Sequence, residues 1–273
     1  TLSLHDALPI CSDTQSFTID AAAVATTATV TITATWTGTE AISGRSLAGG
    51  SDTVNVDIQG QASVSITSMV ISGSNGAGPY VGGMSLTLTV NYGNTGDTDA
   101  TGIDATLTYG GYTGLTENNP AAVPVSSGGT NSQTFTIDVA TGATDSTVTV
   151  TASWSGTEAI SGRALSGSDT VNVDIQSQAS VSITNTAVSG SGTYVGGMSF
   201  TLTVTYGNTG GTDANNIDAL LTFGGNTDLT EDNPAAISVS ASGSNTQVFT
   251  IDINSAAADA AVTITISWTG TEA

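Results

Sequence analysis

Apolar and polar residues alternate along most of this chain. The clearest run is MSLTLTVNY at 84–92, in which Met, Leu, Val and Tyr occupy every second position and Ser, Thr and Asn lie between them. A period of two predicts a β-strand with one buried face. Other runs between residues 61 and 177 are QTFTIDV, STVTVTASW and DTVNVDIQ, with shorter candidates in ASVSIT, GIDATLTY and AAVPV. Turns rich in Gly, Asn and Pro separate these runs, so the pattern predicts about seven strands.

Strands with a single apolar face need a second sheet to cover that face. The opposite faces of these strands are mostly Thr, Ser and Asn. β-Branched Thr suits an exposed pleated surface and adds no charge. The predicted fold class is therefore all-β, with sheets packed face to face as sandwiches.

The same pattern occurs three times along the chain. SFTID at Phe17 returns as TFTID at Phe135 and as VFTID at Phe249, which are 118 and 114 residues apart. The WTGTEA motif, which reads WSGTEA in the second copy, recurs with the same two spacings. A unit of about 115 residues is the usual size of a sandwich domain. Repetition at this period predicts tandem copies of one domain.

The repeat boundaries fall inside VDIQGQAS and VDIQSQAS, where one alternating run ends and the next begins. Residues 12–60 are then the C-terminal part of a first repeat, residues 61–177 a complete second repeat, and residues 178–273 a third repeat without its last strand. We expect the first and third repeats to expose unpaired strand edges, which favour aggregation. The whole chain should therefore be less stable than the isolated middle repeat.

The first eleven residues, TLSLHDALPIC, contain the only histidine, His5, and the only cysteine, Cys11. They lack the basic start and the longer apolar run of a signal peptide. Back-translated, the first ten residues match one reading frame of a common sequencing-library adapter. We interpret residues 1–11 as an artefact and the chain as a fragment open at both ends, so no function is assigned to His5 or Cys11.

Outside that segment the chain contains no His, Cys or Lys, and its only basic side chains are Arg45 and Arg163. Ser-His-Asp and Cys-His catalysis then lack a base, zinc sites lack their usual ligands, and Schiff-base chemistry lacks an amine. Paired carboxylates, as in glycosidases, are the remaining catalytic option. A nearly duplicated unit suits a spacer better than an active site, so the sequence predicts that the protein is not an enzyme.

The formal charge of −21, from 2 basic and 23 acidic residues, limits the partners of the chain. This charge repels phosphate backbones and anionic lipids, so we expect neither nucleic acid nor membrane contact for this segment. No apolar run approaches the roughly 18 residues of a membrane span. Hard cations such as Ca²⁺ are the natural small partners.

One segment resembles a known family. LTLTVNYGNTGDTDATGIDATLTYGG at 86–111, followed by QTFTIDV, is similar to the CARDB-type repeats, the cell-adhesion-related domains of bacteria and archaea, and more loosely to NEW3-type modules. The resemblance implies immunoglobulin-like sandwiches of seven strands, arranged in tandem in surface or secreted proteins, without catalytic residues. The chain departs from antibody-type domains because it lacks the inter-sheet Cys pair and has Trp154 on its sixth predicted strand.

Acidic residues are concentrated where one repeat meets the next. NTGDTDATGID follows the second strand of the middle repeat, and NTGGTDANNID lies at the same place in the third. In an immunoglobulin-like topology this turn faces the preceding repeat and its strand-end acids. Calcium takes roughly 6–8 oxygen ligands and would stiffen such a joint. The candidate ligands are Asp57, Asp97, Asp99, Asp174 and Asp213. Alternatively, these residues are turn formers that bond their own backbone.

Two other repeated features have both a structural and a functional interpretation. Glu40 with Arg45, and Glu158 with Arg163, predict a loop-stabilising ion pair or, alternatively, a patch that grips a carboxylate or sulfate. The Trp of WTGTEA ends a strand on its apolar side. That position favours a place in the core over a sugar-stacking platform.

The predicted function is that of a non-catalytic stalk or adhesive segment of a large prokaryotic protein, at the cell surface or secreted. Very short linkers leave the repeats little freedom, unlike Gly/Ser tethers. Its partners would be the neighbouring repeats of the same chain and surface glycans or proteins. The alternative is a carbohydrate- or protein-binding accessory module of a secreted polysaccharide-acting enzyme. Tyr109, Tyr112 and Phe223 would then be the platform residues.

Overall fold

The computed structural model describes residues 13–73, 76, 78–190 and 192–273, so the interpretation of residues 1–11 lies outside the described residues. The described chain consists of strands joined by turns and loops, and the all-β prediction is confirmed. Within these ranges there is no helix that is long and apolar enough to cross a membrane. The strands are β1 (Ala28–Thr39), β2 (Ser46–Ile58), β3 (Val64–Gly73), β4 (Tyr80–Val81), β5 (Ser85–Asn94), β6 (Ala100–Thr108), β7 (Leu115–Glu117), β8 (Val123–Val125), β9 (Thr130–Val139), β10 (Ser146–Glu158), β11 (Ala164–Gln176), β12 (Val181–Val188), β13 (Ser199–Asn208), β14 (Ala214–Thr222), β15 (Leu229–Glu231), β16 (Ile237–Val239), β17 (Ser244–Ile253) and β18 (Thr265–Glu272).

Alternation in the sequence corresponds to alternation in burial. In β5 the side chains of Leu86, Leu88, Val90 and Tyr92 are buried, while the polar residues between them are only partly buried. Strands β9 and β10 follow the same rule. A shift of one residue in pairing would turn every apolar side chain to the outside, so the buried face fixes the register of each strand.

Two sheets enclose the core of the middle repeat. One has the strand order β3–β5–β9–β7 and the other the order β4–β11–β10–β6–β8. All neighbouring strands are antiparallel except β4 and β11. Buried side chains from both sheets form one cluster that extends from Ala62 to Ile175. Two sheets that share a core are the arrangement of a β-sandwich.

The third repeat has the same order of strands in a shorter form. Its sheets are β12–β13–β17–β15 and β16–β14–β18, and its own buried cluster extends from Phe200 to Ile251. These strands correspond in order to β3, β5, β9 and β7, and to β8, β6 and β10. The described part of this repeat has no strand equivalent to β4 or β11, so β18 is paired on one side only.

The described part of the first repeat is a two-stranded hairpin of β1 and β2. Trp36 lies opposite Gly50 as Trp154 lies opposite Gly167, so this hairpin has the register of β10 and β11 up to the Trp, and a register shift follows between Trp36 and Gly38. No second sheet covers its apolar side chains within the described residues. Trp36 is consequently 55% exposed, whereas Trp154 is 5% exposed.

The middle repeat contains nine strands, β3 to β11, where the sequence pattern predicts about seven. The additional strands are β4, which pairs in parallel with the end of β11, and β7, which pairs with the end of β9. They have two and three residues. Two or three residues are too few to show the alternation of apolar and polar positions that predicts a strand. The strand conformation of β4 and β7 therefore depends on the longer strand beside each of them.

The Trp at the end of the sixth predicted strand packs in the core of the middle repeat, as predicted. Trp154 meets Tyr92 edge-on with ring centroids 6.2 Å apart, and the equivalent rings of the third repeat meet at 6.1 Å. Gly167 lies against the indole, where a Cβ atom would come within 2.9 Å of Nε1. Glycine is therefore required opposite this Trp because the indole occupies the space of a side chain.

Candidate functional site

The Glu of the GTEAISGR loop holds the start of its own repeat. Glu158 is buried at the end of β10. Its Oε1 accepts a hydrogen bond from the backbone N–H of Ala62 at 2.5 Å, and its Oε2 accepts one from the Ser161 hydroxyl. The Arg163 guanidinium lies 3.5 Å from Oε1 and donates to the carbonyl oxygen of Ala62 at 2.7 Å. The last residue of β10 thus binds the backbone N–H of Ala62, and the loop that follows binds its carbonyl oxygen.

The predicted ion pair is present, and its contacts extend well beyond its own loop. Glu158 and Ala62 are 96 residues apart in the chain. In the third repeat, Glu272 Oε1 accepts from the N–H of Ala179 and from the Thr212 hydroxyl, both at 2.6 Å. This glutamate therefore joins the strand that carries the Trp to the first residues of the same repeat in both copies.

Hydrogen bonding favours the ionised form of Glu158. The Ser161 hydroxyl is the largest cause of its lowered pKa, and the Ala62 N–H and Arg163 act in the same direction, while burial opposes them. The structural contribution of this carboxylate should therefore depend on pH in the acid range.

A buried Asn holds the turn that follows β5. Asn94 Oδ1 accepts from the backbone N–H groups of Ser63 and Gly96, both at 3.0 Å. Its Nδ2 donates to the carbonyl oxygens of Thr98 at 2.8 Å and Val125 at 3.2 Å. These bonds use the full capacity of an amide side chain. In the third repeat Asn208 makes the equivalent set of bonds.

Replacing Asn94 by Asp should destabilise the middle repeat by about 3 kcal/mol, because a buried carboxylate oxygen would face two carbonyl oxygens and lose both donated bonds. Hydrogen exchange of the buried amides of β5 and β9 measures this loss. The control is Asn131→Asp, since Asn131 is exposed and donates only to the carbonyl oxygen of Pro124. Equal exchange rates in the two variants would contradict a role for Asn94 in the core.

Gln133 joins the two sheets of the middle repeat. Its Oε1 accepts from the Tyr92 hydroxyl at 2.8 Å and from the N–H of Ala105 at 2.9 Å, and its Nε2 donates to Asp104 at 2.9 Å. Gln133 and Tyr92 belong to one sheet, and Ala105 and Asp104 to the other. Burial raises the pKa of Tyr92, and the charge of Asp104 adds to this, so its hydroxyl remains a donor. The third repeat contains the same bridge, made by Gln247, Tyr206, Ala219 and Asp218.

Sequence reasoning did not identify this bridge, although a signal was present. In QTFTIDV the Gln falls on the same face as Phe135 and Ile137, which are buried. A polar residue in phase with a buried face must find hydrogen-bond partners inside the fold.

The candidate calcium ligands are not brought together as a metal site. In residues 13–73, 76, 78–190 and 192–273, no group of three or more His, Cys, Asp or Glu side chains could hold a metal ion. Each candidate accepts a hydrogen bond from within the protein: Asp57 from Thr29, Asp97 from Thr27, Asp99 from the N–H of Ser127, Asp174 from Thr147, and Asp213 from the N–H of Ala241. These partners lie 27 or more residues away in the chain and not in the candidate's own turn. Calcium binding and the turn-forming alternative both stay predictions.

The three candidate platform residues have contacts within their own repeats. The Tyr109 hydroxyl donates to Glu117 at 2.7 Å, and the Tyr112 hydroxyl donates to the carbonyl oxygen of Thr144 at 2.8 Å. Phe223 packs against the core of the third repeat. These contacts favour a structural role for the aromatic residues over stacking on a sugar.

An open cavity of about 820 Å³ lies in the third repeat. Its apolar lining includes Tyr194, Phe200, Leu229, Ile253 and Ile264. The equivalent residues of the middle repeat are all buried, and they are Tyr80, Leu86, Leu115, Val139 and Val150. The cavity therefore marks the side of the core that β4 and β11 cover in the middle repeat.

No protein-family model matches this chain, and no curated protein matches it. Among solved structures, the chain is similar to a protein of unknown function from Porphyromonas gingivalis W83, at 13% identity and a TM-score of 0.30. The match covers 71% of this chain and 84% of that one. A likeness at this score carries no argument about fold or function, so the CARDB resemblance stays an interpretation of the sequence.

Proposed function

We propose that this chain is a non-catalytic spacer made of tandem immunoglobulin-like sandwiches of the CARDB type. It extends an attached part of a large prokaryotic surface or secreted protein away from the cell. Its partners are the neighbouring repeats of the same chain. The stalk prediction, in which short linkers give stiff joints, is the form of this function that the contacts favour over adhesion.

The observation that supports this proposal is the hydrogen bonding of the linker at the second joint. The N–H of Ser177 donates to Asp145 of the middle repeat at 2.5 Å. On the other side, Ser177 Oγ accepts from the N–H of Gly211 at 2.8 Å, and its carbonyl oxygen accepts from the Thr212 hydroxyl at 3.2 Å. A linker bonded to both neighbours has far less freedom than a Gly/Ser tether.

The surface of the chain also suits a spacer. Outward positions of the strands are rich in Thr, and the formal charge is −21. A strongly negative surface keeps proteins soluble and repels anionic partners. Residues 12–273 contain no His or Lys that could serve as a catalytic base or amine.

Small-angle X-ray scattering of residues 12–273 tests this function. The expected particle is elongated, and each full repeat adds about 40 Å, the length of a 13-residue strand such as β10. The matched control replaces residues 176–179 by a flexible Gly/Ser linker, which should broaden the distribution of distances between the middle and third repeats. A compact particle, or a broad distribution already present without the linker change, would contradict the spacer proposal.

A further inference from the structure

Three repeat positions meet at each joint, and all three differ between the two joints. One lies in the loop before the strand that carries the Trp, one in the linker, and one in the turn after the second long strand of the next repeat. We call the residues at these positions the joint set. The sets are Thr27, Gly60 and Asp97 at the first joint, and Asp145, Ser177 and Gly211 at the second.

The first joint has its carboxylate on the repeat that follows. The Thr27 hydroxyl donates to Asp97 Oδ2 at 2.7 Å and accepts from the N–H of Gly60 at 3.1 Å. A Cβ atom on Gly60 would lie 2.5 Å from Asp97 Oδ2. A side chain on the linker residue would therefore displace the Asp97 carboxylate from its bond to Thr27.

The second joint has its carboxylate on the repeat that precedes. Asp145 Oδ1 accepts directly from the N–H of Ser177, in the place where Thr27 bonds Gly60 at the first joint. The Ser177 hydroxyl then accepts from the N–H of Gly211. A Cβ atom on Gly211 would lie 2.6 Å from Asp145 Cγ, so a side chain in the turn would displace this carboxylate from its bond to Ser177.

The two joint sets exclude each other at the level of single residues. Asp on both sides would place two carboxylates in one space, where like charges repel. A Ser in the linker would clash with a carboxylate at the Asp97 position. Thr on one side and Gly on the other would leave the hydroxyl without its charged acceptor. Each joint set thus contains one carboxylate, on the preceding repeat or on the following repeat.

We propose that the joint set is a matched interface that determines which repeats can follow each other. A repeat with Asp at the Thr27 position fits a successor with Ser in the linker and Gly in the turn. A repeat with Thr there fits a successor with Gly and then Asp. The partner of each surface is the adjoining repeat of this chain. The inference rests on the proposed function only in that it concerns the joints of the spacer.

Converting the second joint into the first tests this interface. Gly211→Asp alone should speed hydrogen exchange at the amide of residue 177 about tenfold, since it forces apart the Asp145 carboxylate and its bonded N–H. The triple variant D145T/S177G/G211D reproduces the first set and should bring the exchange rate back to within about threefold of the original. Core amides of β13 and β17 should exchange at the same rate in every variant, which shows that the third repeat remains folded.

A milder variant covers the case in which Gly211→Asp unfolds the third repeat. Ser177→Gly removes only the Oγ acceptor, and we expect about threefold faster exchange at Gly211. The matched interface would be overturned if the amide of residue 177 exchanged as fast in the triple variant as in G211D. It would also be overturned if G211D left the exchange rate of that amide unchanged. Failure of the spacer proposal would be seen in scattering of the unmodified chain and would leave the rescue intact, so the two failures are distinguishable.

Discussion

Replacing Glu158 by Gln is expected to destabilise the middle repeat by about 3 kcal/mol at neutral pH. The substitution removes the buried charge that Ser161, Arg163 and the Ala62 N–H all stabilise, and it places an amide donor among groups that all donate to the carboxylate. Hydrogen exchange of the slowest-exchanging β10 amides, recorded on the whole chain, measures the change in the unfolding free energy of the middle repeat. Glu117→Gln is the control in the same repeat, because that side chain is exposed, and it should change stability by less than about 0.5 kcal/mol.

The effect of Glu158→Gln should also depend on pH in one direction. Because the pKa of Glu158 is lowered in the folded chain, its carboxylate stabilises the fold above the ordinary value of 4.5. That contribution is lost as the pH falls through the lowered pKa. The difference between the original chain and the variant is therefore greatest near neutral pH and shrinks in acid. If the difference in unfolding free energy between the original chain and the variant were the same at all pH values, the charge of Glu158 would not be what stabilises the fold.

A peptide with the sequence of β11, ALSGSDTVNVDIQ, is expected to bind and stabilise the third repeat. In the middle repeat β11 pairs with β10 and contributes Val173 and Ile175 to the core. The third repeat's equivalent of β10 is β18, which is paired on one side only. The cavity of the third repeat reaches Ile264, the residue before β18. At a concentration of about 100 times its Kd, the peptide should stabilise the repeat by about 2.7 kcal/mol.

Hydrogen exchange of the β18 amides measures this binding, since a new strand would protect them. The control peptide carries Thr at the positions of Val171, Val173 and Ile175, which keeps the backbone and removes the apolar face. Only the unmodified peptide should slow exchange in β18 and raise the Tm of the third repeat. If neither peptide does so at high excess, β18 and β10 are not equivalent strands, and the interpretation of the third repeat as a copy of the middle one would fail.

The long strands could be predicted from sequence because their apolar faces repeat at the period of a strand. β5, β9, β10 and β11 each contain an alternating run of at least seven residues, which is long enough to exclude a helix. β4 and β7 were not predictable, because their conformation comes from pairing with β11 and β9. The same limit applies to burial of Trp36, which has the sequence context of Trp154 but no covering sheet in the described residues.

The polar sites were recognised in part. Asn94 and Glu158 stood out because they recur, but the sequence indicated a turn former and an ion pair within a loop. Their decisive partners, Val125 for Asn94 and Ala62 for Glu158, lie 31 and 96 residues away. Long-range contacts of this kind follow from sheet packing, which local spacing does not encode. The sequence showed that Gly211 occupies the repeat position of Asp97. The contacts of these two residues with the linker residues Gly60 and Ser177 depend on the fold.

Residual dipolar couplings of residues 61–273 measure whether two separate sandwich repeats are held rigidly by a hydrogen-bonded linker. Couplings from the strands of the middle repeat and couplings from the strands of the third repeat are fitted independently. Alignment tensors equal in size and orientation are the predicted result. Tensors of clearly different magnitude would show that the repeats move independently, and would contradict a rigid joint.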